Sequence, residues 1–464
     1  MKRTQLILSV LLVFGLLLAA CAPEAPPAAT EAPAAATEAV TEAATEAAAE
    51  ATEAATEAAA EAPAEGAAGA LACAEPVKVG LITDLTGALA IYGTMMERGF
   101  SLGMEYAAGA PADADGVYTV DGCPIQVLVR DDKGSAETTA TLARELIEVD
   151  GVKLLVGTVS SGSTATLQEI ARDNQVPLIV GPAAANDITG VNFNEYTFRV
   201  SRENYQDYIN LCQYLTTQYS TFVQIAPDYS FGYGGAQSAR DACTFYGGQF
   251  VTDDIFAPLD TTEFTPYMEQ ILDSGAEAWI VTWAGGGFIP MLQSAKETGV
   301  LDEMGLGAAF IDNKTMPAVF SNVVGSTSGI FYHYTLPQNA LNDWLVEQTT
   351  SRFDTPPDLF DADGMNAALA VVNALRKSGG DASAAALLAA LEGLEFEGPK
   401  GTIYFRPEDH VAIQDMYVVT LTNLDDPEFK FFDLVSTNRP EPPCLLPEGL
   451  QDRCGDLPVG SLGG

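Results

Sequence analysis

Short apolar runs recur along this chain, and most are followed by a small or polar loop and then a stretch of helical spacing. Residues 77–82 form the first run, ending in Thr83-Asp84-Leu85-Thr86-Gly87, which reads as a buried strand entering a loop. Residues 93–108 have helical spacing. Residues 125–129 give a second strand ending at Asp131-Asp132, and residues 136–149 an amphipathic helix. Residues 154–157 and 177–180 read as the third and fourth strands, with a helix over 164–173 between them. The pattern restarts at 221–225 and continues through 278–281. Strand–helix alternation in two blocks predicts an α/β protein with two doubly wound parallel sheets. Ligands on such sheets bind beyond the carboxyl ends of the strands, so the loops that follow each strand are the place to look for a site.

The first seventy residues do not share this pattern. Lys2 and Arg3 precede an apolar run over 6–18, the layout of a signal peptide and too short to span a bilayer. It ends in Leu18-Ala19-Ala20-Cys21, which reads as a lipoprotein signal: residues 1–20 are removed and Cys21 carries a lipid that anchors the protein without spanning the membrane. Residues 22–70 are built from Ala, Thr, Glu and Pro. Glu38, Glu42, Glu46 and Glu50 repel one another at i,i+4 spacing, and no apolar stripe is available to pack. With Cys21, this segment reads as a disordered tether over 21–70.

Composition narrows the function. A formal net charge of −41 leaves no basic footprint for nucleic acid or anionic lipid, so neither is expected as a partner beyond the lipid anchor. Six cysteines follow Cys21, and an even number in an exported body suggests disulfides, with fifteen pairings open. Cys73 and Cys123 each precede a predicted strand, and neighbouring strands would bring them together. Cys212 and Cys243 lie in consecutive helical segments. Cys444 and Cys454 would close a short Pro-rich loop. None has metal-ligand spacing, and with His333 and His410 the only histidines, no metal site and no cofactor are expected.

The strand-end loops carry a resemblance. Residues 79–87 read Val-Gly-Leu-Ile-Thr-Asp-Leu-Thr-Gly and lead into Ile91-Tyr92-Gly93. Arg130-Asp131-Asp132 follows, then the stretches 156–164 and 176–185, then Tyr196-Thr197-Phe198-Arg199 and Asp228-Tyr229-Ser230-Phe231-Gly232. Ala295-Lys296-Glu297-Thr298-Gly299 and residues 391–399 complete the series. In this order and spacing, over residues 76–435, the chain resembles the branched-chain amino-acid-type (leucine-binding-protein-like) substrate-binding proteins of ABC transporters. The resemblance implies the type I periplasmic binding protein fold: two lobes joined by a three-strand hinge. The chain would cross between them near Val200, Thr335 and Asp409. Lobe 1 would comprise residues 71–199 and 336–409, and lobe 2 residues 200–335 and 410–436. A Pro- and Cys-containing extension over 437–464 would follow.

The candidate site follows from the loops. Ser160 and Ser161 lie between a strand end and a helix start, where free N–H groups and the positive helix end suit a carboxylate. Ala183, Ala184 and Ala185 let the backbone approach a ligand closely. Tyr92 and Phe231 match positions where the family stacks rings on its ligand. The second lobe departs from the amino-acid binders. After the strand over 278–281, where the family's amino-acid members usually place a tyrosine, residues 282–288 read Thr-Trp-Ala-Gly-Gly-Gly-Phe, with Trp283 and Gly285 as candidate contacts. At the family's ammonium-binding position the residues are small or apolar, with Asp312 the nearest carboxylate. An ammonium without a carboxylate is costly to bury, so an α-amino acid is not required. Trp283, Phe288, Tyr332, His333 and Tyr334 point to a more aromatic pocket, with His333 among the ligand contacts.

These residues imply an extracytoplasmic, lipid-anchored monomer. It would capture a small polar molecule (amino acid, aromatic acid or amide-like) by hinge closure and deliver it to an ABC permease. No nucleophile elbow, zinc-protease motif or phosphate loop is present, so enzymatic chemistry is not expected. A ligand-sensing ectodomain that signals through a partner receptor is the alternative.

Overall fold

The computed structural model describes residues 71–464 apart from 74 and 309–311. The signal segment, Cys21 and the tether lie outside the described residues. Among these, no helix is long and apolar enough to cross a membrane.

The first sheet contains β1 (Val77–Thr83), β2 (Val117–Val120), β3 (Cys123–Asp131), β4 (Leu154–Gly157), β5 (Leu178–Val180) and β6 (Thr197–Arg199), in the order β2-β3-β1-β4-β5-β6. All pairs are parallel except β2 with β3. Its strands are apolar on both faces because both are covered. Val79, Leu81, Val156 and Ile179 enter one cluster with helix α1 (Ala90–Ala108). Ile82, Leu155, Leu178 and Val180 enter the opposite cluster with helices α2 (Ala136–Arg144) and α3 (Ser161–Asp173).

The second block repeats the design. The sheet β11-β10-β7-β8 comprises β7 (Thr221–Pro227), β8 (Gln249–Phe250), β10 (Ala278–Val281) and β11 (Gly305–Ala308), with β9 (Ile255–Ala257) also pairing β7. Phe222, Ala278 and Ile280 face helices α4 (Asn204–Leu215) and α5 (Ser230–Phe245). Val223, Ile225, Trp279 and Val281 face α6 (Thr265–Asp273) and α7 (Phe288–Thr298). Neighbours along each strand therefore go to opposite clusters, the period-two rule of a strand buried on both sides.

The chain passes between the two lobes three times. The first passage follows β6. The second follows β12 (Thr327–Ile330), after which α8 (Ala340–Phe353), α9 (Asp361–Lys377), α10 (Ala384–Leu391) and the strands β13 (Glu395–Gly398), β14 (Gly401–Phe405) and β15 (Ala412–Ile413) complete the first lobe. The third leads from β15 to β16 (Met416–Leu421) and β17 (Phe432–Asn438), which join β12 in an antiparallel sheet. A parallel bridge between Arg199 and Val411 ties the first passage to the third.

Helix α9 lies against α1 at very short range. A Cβ on Gly99 would sit 2.0 Å from the Asp361 carbonyl oxygen, and one on Gly364 2.3 Å from that of Met96. Only glycine allows this approach. Arg98 adds two hydrogen bonds to the buried Asp361 carboxylate, at 2.6 and 2.5 Å. Among the described residues three disulfides are formed, Cys73–Cys123, Cys212–Cys243 and Cys444–Cys454.

Candidate functional site

The strand orders fix where a crevice opens. In the first sheet β1 pairs β3 on one side and β4 on the other. In the second, β7 pairs β8 and β9 on one side and β10 on the other. Successive connections run in opposite directions from these points, so the loops diverge and leave space beyond the strand ends. A cleft lies there, lined from both lobes and the hinge.

The loops after β1, β4 and β5 bring Tyr92, Ser161, Ala183 and Ala184 to the cleft, and the loops after β7 and β10 bring Phe231 and Trp283. These six stand together as the sequence suggests. Ser161 is almost fully buried, and its Oγ accepts the Ala185 N–H at 3.2 Å.

Five expected contacts lie outside the cleft wall, each for a local reason. Ser160 is the N-cap of α3, its Oγ accepting from the Ser163 N–H. Ala185 packs in the core, and its carbonyl accepts from the buried Arg199 guanidinium at 2.7 Å. Gly285 donates its N–H to the Tyr92 hydroxyl at 3.3 Å, a contact between loops of opposite lobes. Asp312 caps a turn by accepting the Thr315 N–H at 3.0 Å. His333 is turned away: its Nδ1 meets the Thr335 hydroxyl, its ring lies against Phe432, and burial pushes its pKa down to about 4. Of the aromatic run 331–334, only Phe331 reaches the cleft, while Tyr332 is held inside by Asn342 at 2.9 Å.

The segment leading into α4 supplies what sequence reasoning missed. Arg202, Asn204, Asp207 and Tyr208 all line the cleft. Arg202 is 6% exposed, donates to the Pro182 carbonyl at 2.9 Å, and lies over the rings of Phe331 and Phe360 at 4.6 and 5.4 Å. Its Nε stands 3.4 Å from Asp207 and has no hydrogen-bond partner among the described residues. Burial pushes the Asp207 carboxyl up, while Arg202 and Lys400 draw it back. The sequence offers Asp312 as the nearest carboxylate for a ligand ammonium, but it is Asp207 that lines the wall. Tyr208 is tied to the Thr282 hydroxyl, joining α4 to the loop after β10. The available signal was the placement of Arg202, Glu203 and Asp207 around a helix start that also holds Tyr205, Tyr208 and Ile209, a pattern without a solvent face.

At the rim, Asp358 joins the lobes by accepting the Asn313 N–H at 2.9 Å. Burial, with Asp312 and Asp361 nearby, pushes its pKa up to about 7. A carboxyl whose pKa rises on folding favours the folded form when protonated, so its contribution is lost as pH rises through 7. Wild-type stability is therefore expected to fall by roughly 1 kcal/mol more than that of Asp358→Asn between pH 6 and 8. Denaturant melts at several pH values read this. Parallel curves for the two proteins count against Asp358 as the titrating group.

A family model described as "Periplasmic binding protein" matches residues 76–426. Leu/Ile/Val-binding protein homolog 6 of Brucella abortus is 26% identical, over 77% of this chain and 91% of its own. The crystal structure of an ABC-type branched-chain amino acid transporter protein from Rhodopseudomonas palustris CGA009 is 32% identical. It superposes with a TM-score of 0.66 over 78% of this chain and 96% of its own. A solute-binding protein of R. palustris BisB5, solved with 3,4-dihydroxybenzoic acid, is 24% identical, with a TM-score of 0.69 over 78% and 97% of the two chains.

Proposed function

The chain belongs to the periplasmic binding protein family, and from that membership and its cleft we propose that it captures an aromatic carboxylic acid outside the cytoplasm and passes it to an ABC importer. One observation carries the ligand class. The cleft is walled by rings on several sides (Tyr92, Tyr229, Phe231, Trp283, Phe331 and Phe360) and holds a single buried guanidinium, whose Nε faces Asp207 at 3.4 Å. Flat apolar walls suit a ring, and a guanidinium suits a carboxylate. The start of α3 beside Ser161 offers a second anionic subsite.

The mechanism is hinge closure. Ligand touching both lobes favours the closed form, in which Tyr92 meets Gly285 and Asp358 meets Asn313. The importer reads that closed shape, and the ligand leaves unchanged. Lipid on Cys21 keeps the protein at the membrane. An α-amino acid is the second reading, favoured by Asp207, whose carboxylate could receive an ammonium.

Thermal shift and calorimetry with benzoate, 4-hydroxybenzoate, leucine, isoleucine, valine and simple amides separate the two. A true ligand at a hundred times its Kd stabilises the protein by about 2.7 kcal/mol. The aromatic acids are expected to raise Tm and the aliphatic amino acids not. The reverse result transfers the role to Asp207, and turnover of any ligand removes the binding-protein reading.

A further inference from the structure

We propose that the part of the C-terminal extension that follows β17, residues 439–464, is a strap that limits how far the cleft opens and so regulates the site. The inference rests on the reading that the lobes close around a ligand. The extension lies beyond the region matched by the family model, which ends at 426. It leaves β17 in the second lobe and runs first along the hinge. Arg439 donates to the Ile413 carbonyl at 3.1 Å, and the Pro440 carbonyl accepts from Gln206 at 3.3 Å.

It then crosses to the first lobe. The Pro442 carbonyl accepts from Arg406 at 2.9 Å. The disulfide Cys444–Cys454 closes a small loop whose apolar side packs on Phe193. From that loop Arg453 donates to the Pro407 and Glu408 carbonyls at 2.7 and 3.1 Å, and its guanidinium lies over the Phe193 ring. The backbone folds back on itself, with Cys444 donating to the Pro458 carbonyl at 2.8 Å. It returns to the second lobe, where the Leu462 N–H meets the Asp241 carboxylate on α5 at 2.8 Å and Leu462 packs beside α4 and α5.

One short covalent path is thus fixed on lobe 2, then lobe 1, then lobe 2 again. The three-strand hinge alone lets the lobes rotate apart. The strap adds a fourth and a fifth crossing, clamped by a disulfide loop too short to stretch. Wide opening has to break either the lobe 1 anchor, made by Pro442, Arg453 and the packing on Phe193, or the Leu462 anchor. The strap therefore raises the closed population before ligand arrives, and apparent affinity scales with that population.

Arg453→Ala combined with Asp241→Ala weakens the lobe 1 anchor and releases the Leu462 anchor, by changing residues that are not fully buried. Small-angle X-ray scattering without ligand is expected to give a larger radius of gyration for this variant than for wild type. With saturating 4-hydroxybenzoate the two should coincide. Hydrogen exchange on the same samples should show faster exchange of the hinge amides at 199–201 and 410–412 in the variant. If the unliganded dimensions and hinge exchange match wild type, the strap is overturned, and a lowered Tm alone marks the extension as structural only. If the unliganded variant opens but 4-hydroxybenzoate closes neither protein, the strap stands and the ligand reading fails.

Discussion

Arg202→Ala is expected to remove binding of the aromatic acid and to lower the unfolding free energy by about 3 kcal/mol or more, the usual range when one partner of a buried ion pair is deleted. The size comes from what is left behind. Asp207, buried beside Arg202, keeps only Lys400 as a nearby cation, and burial already pushes its carboxyl up. The rings of Phe331 and Phe360 lose the guanidinium packed on them. Arg202→Ala with Asp207→Asn therefore separates the two losses. Stability should return in large part, because the orphaned charge is gone, while binding should not, because the ligand's cation is gone. Urea denaturation and calorimetry with 4-hydroxybenzoate measure these. Wild-type affinity in the single variant sinks the ligand assignment, and equal stability of single and double variants sinks the charge explanation.

The second large effect is expected from the Cys212–Cys243 disulfide. Both residues are fully buried between α4 and α5, so Ala in their place changes little volume. What changes is the unfolded chain, which gains a loop now closed over a sequence separation of 31. Loop entropy then gives a loss of roughly 3–4 kcal/mol for Cys212→Ala with Cys243→Ala. Since α4 and the segment leading into it carry Asp207, Tyr208 and Arg202 into the cleft, affinity should weaken along with Tm. A chemical melt and a titration on the same variant suffice. A midpoint equal to wild type would falsify this account. Burial also predicts that mild reductant leaves the folded protein intact.

The fold was legible because strands buried on both faces leave short, dense apolar runs. Residues 77–82, 154–157 and 278–281 became β1, β4 and β10, and the loops behind them became the cleft. The expected α/β lobes and parallel sheets are what the chain forms. Half of the site was legible for the same reason: Tyr92, Ser161, Ala183, Ala184, Phe231 and Trp283 sit directly after strands. The rest depends on how the lobes meet. Arg202 and Asp207 stand at a helix start whose pattern shows no solvent face, but only the hinge fixes which cavity they face. His333 stands two positions from Phe331 on the sequence, yet its ring packs against Phe432 rather than facing the cleft. Local pattern does not encode which side of a hinge strand faces a ligand, and the extension's route across both lobes lies beyond any periodicity.

The close seat of α9 on α1 bears on the order of events during synthesis and export. Arg98 and Asp361 are 263 residues apart in sequence, with the whole parallel sheet of the second lobe between them. A chain emerging from its N-terminus exposes the α1 face, with Gly99 and Gly103, long before α9 arrives to cover it. Neither lobe can be completed early, because α9 closes the first and β16 and β17 the second, and contacts over such sequence distances are slow to form. For a protein that works outside the cytoplasm, late completion has a use: the nascent chain stays unfolded and threadable until nearly all of it has been delivered.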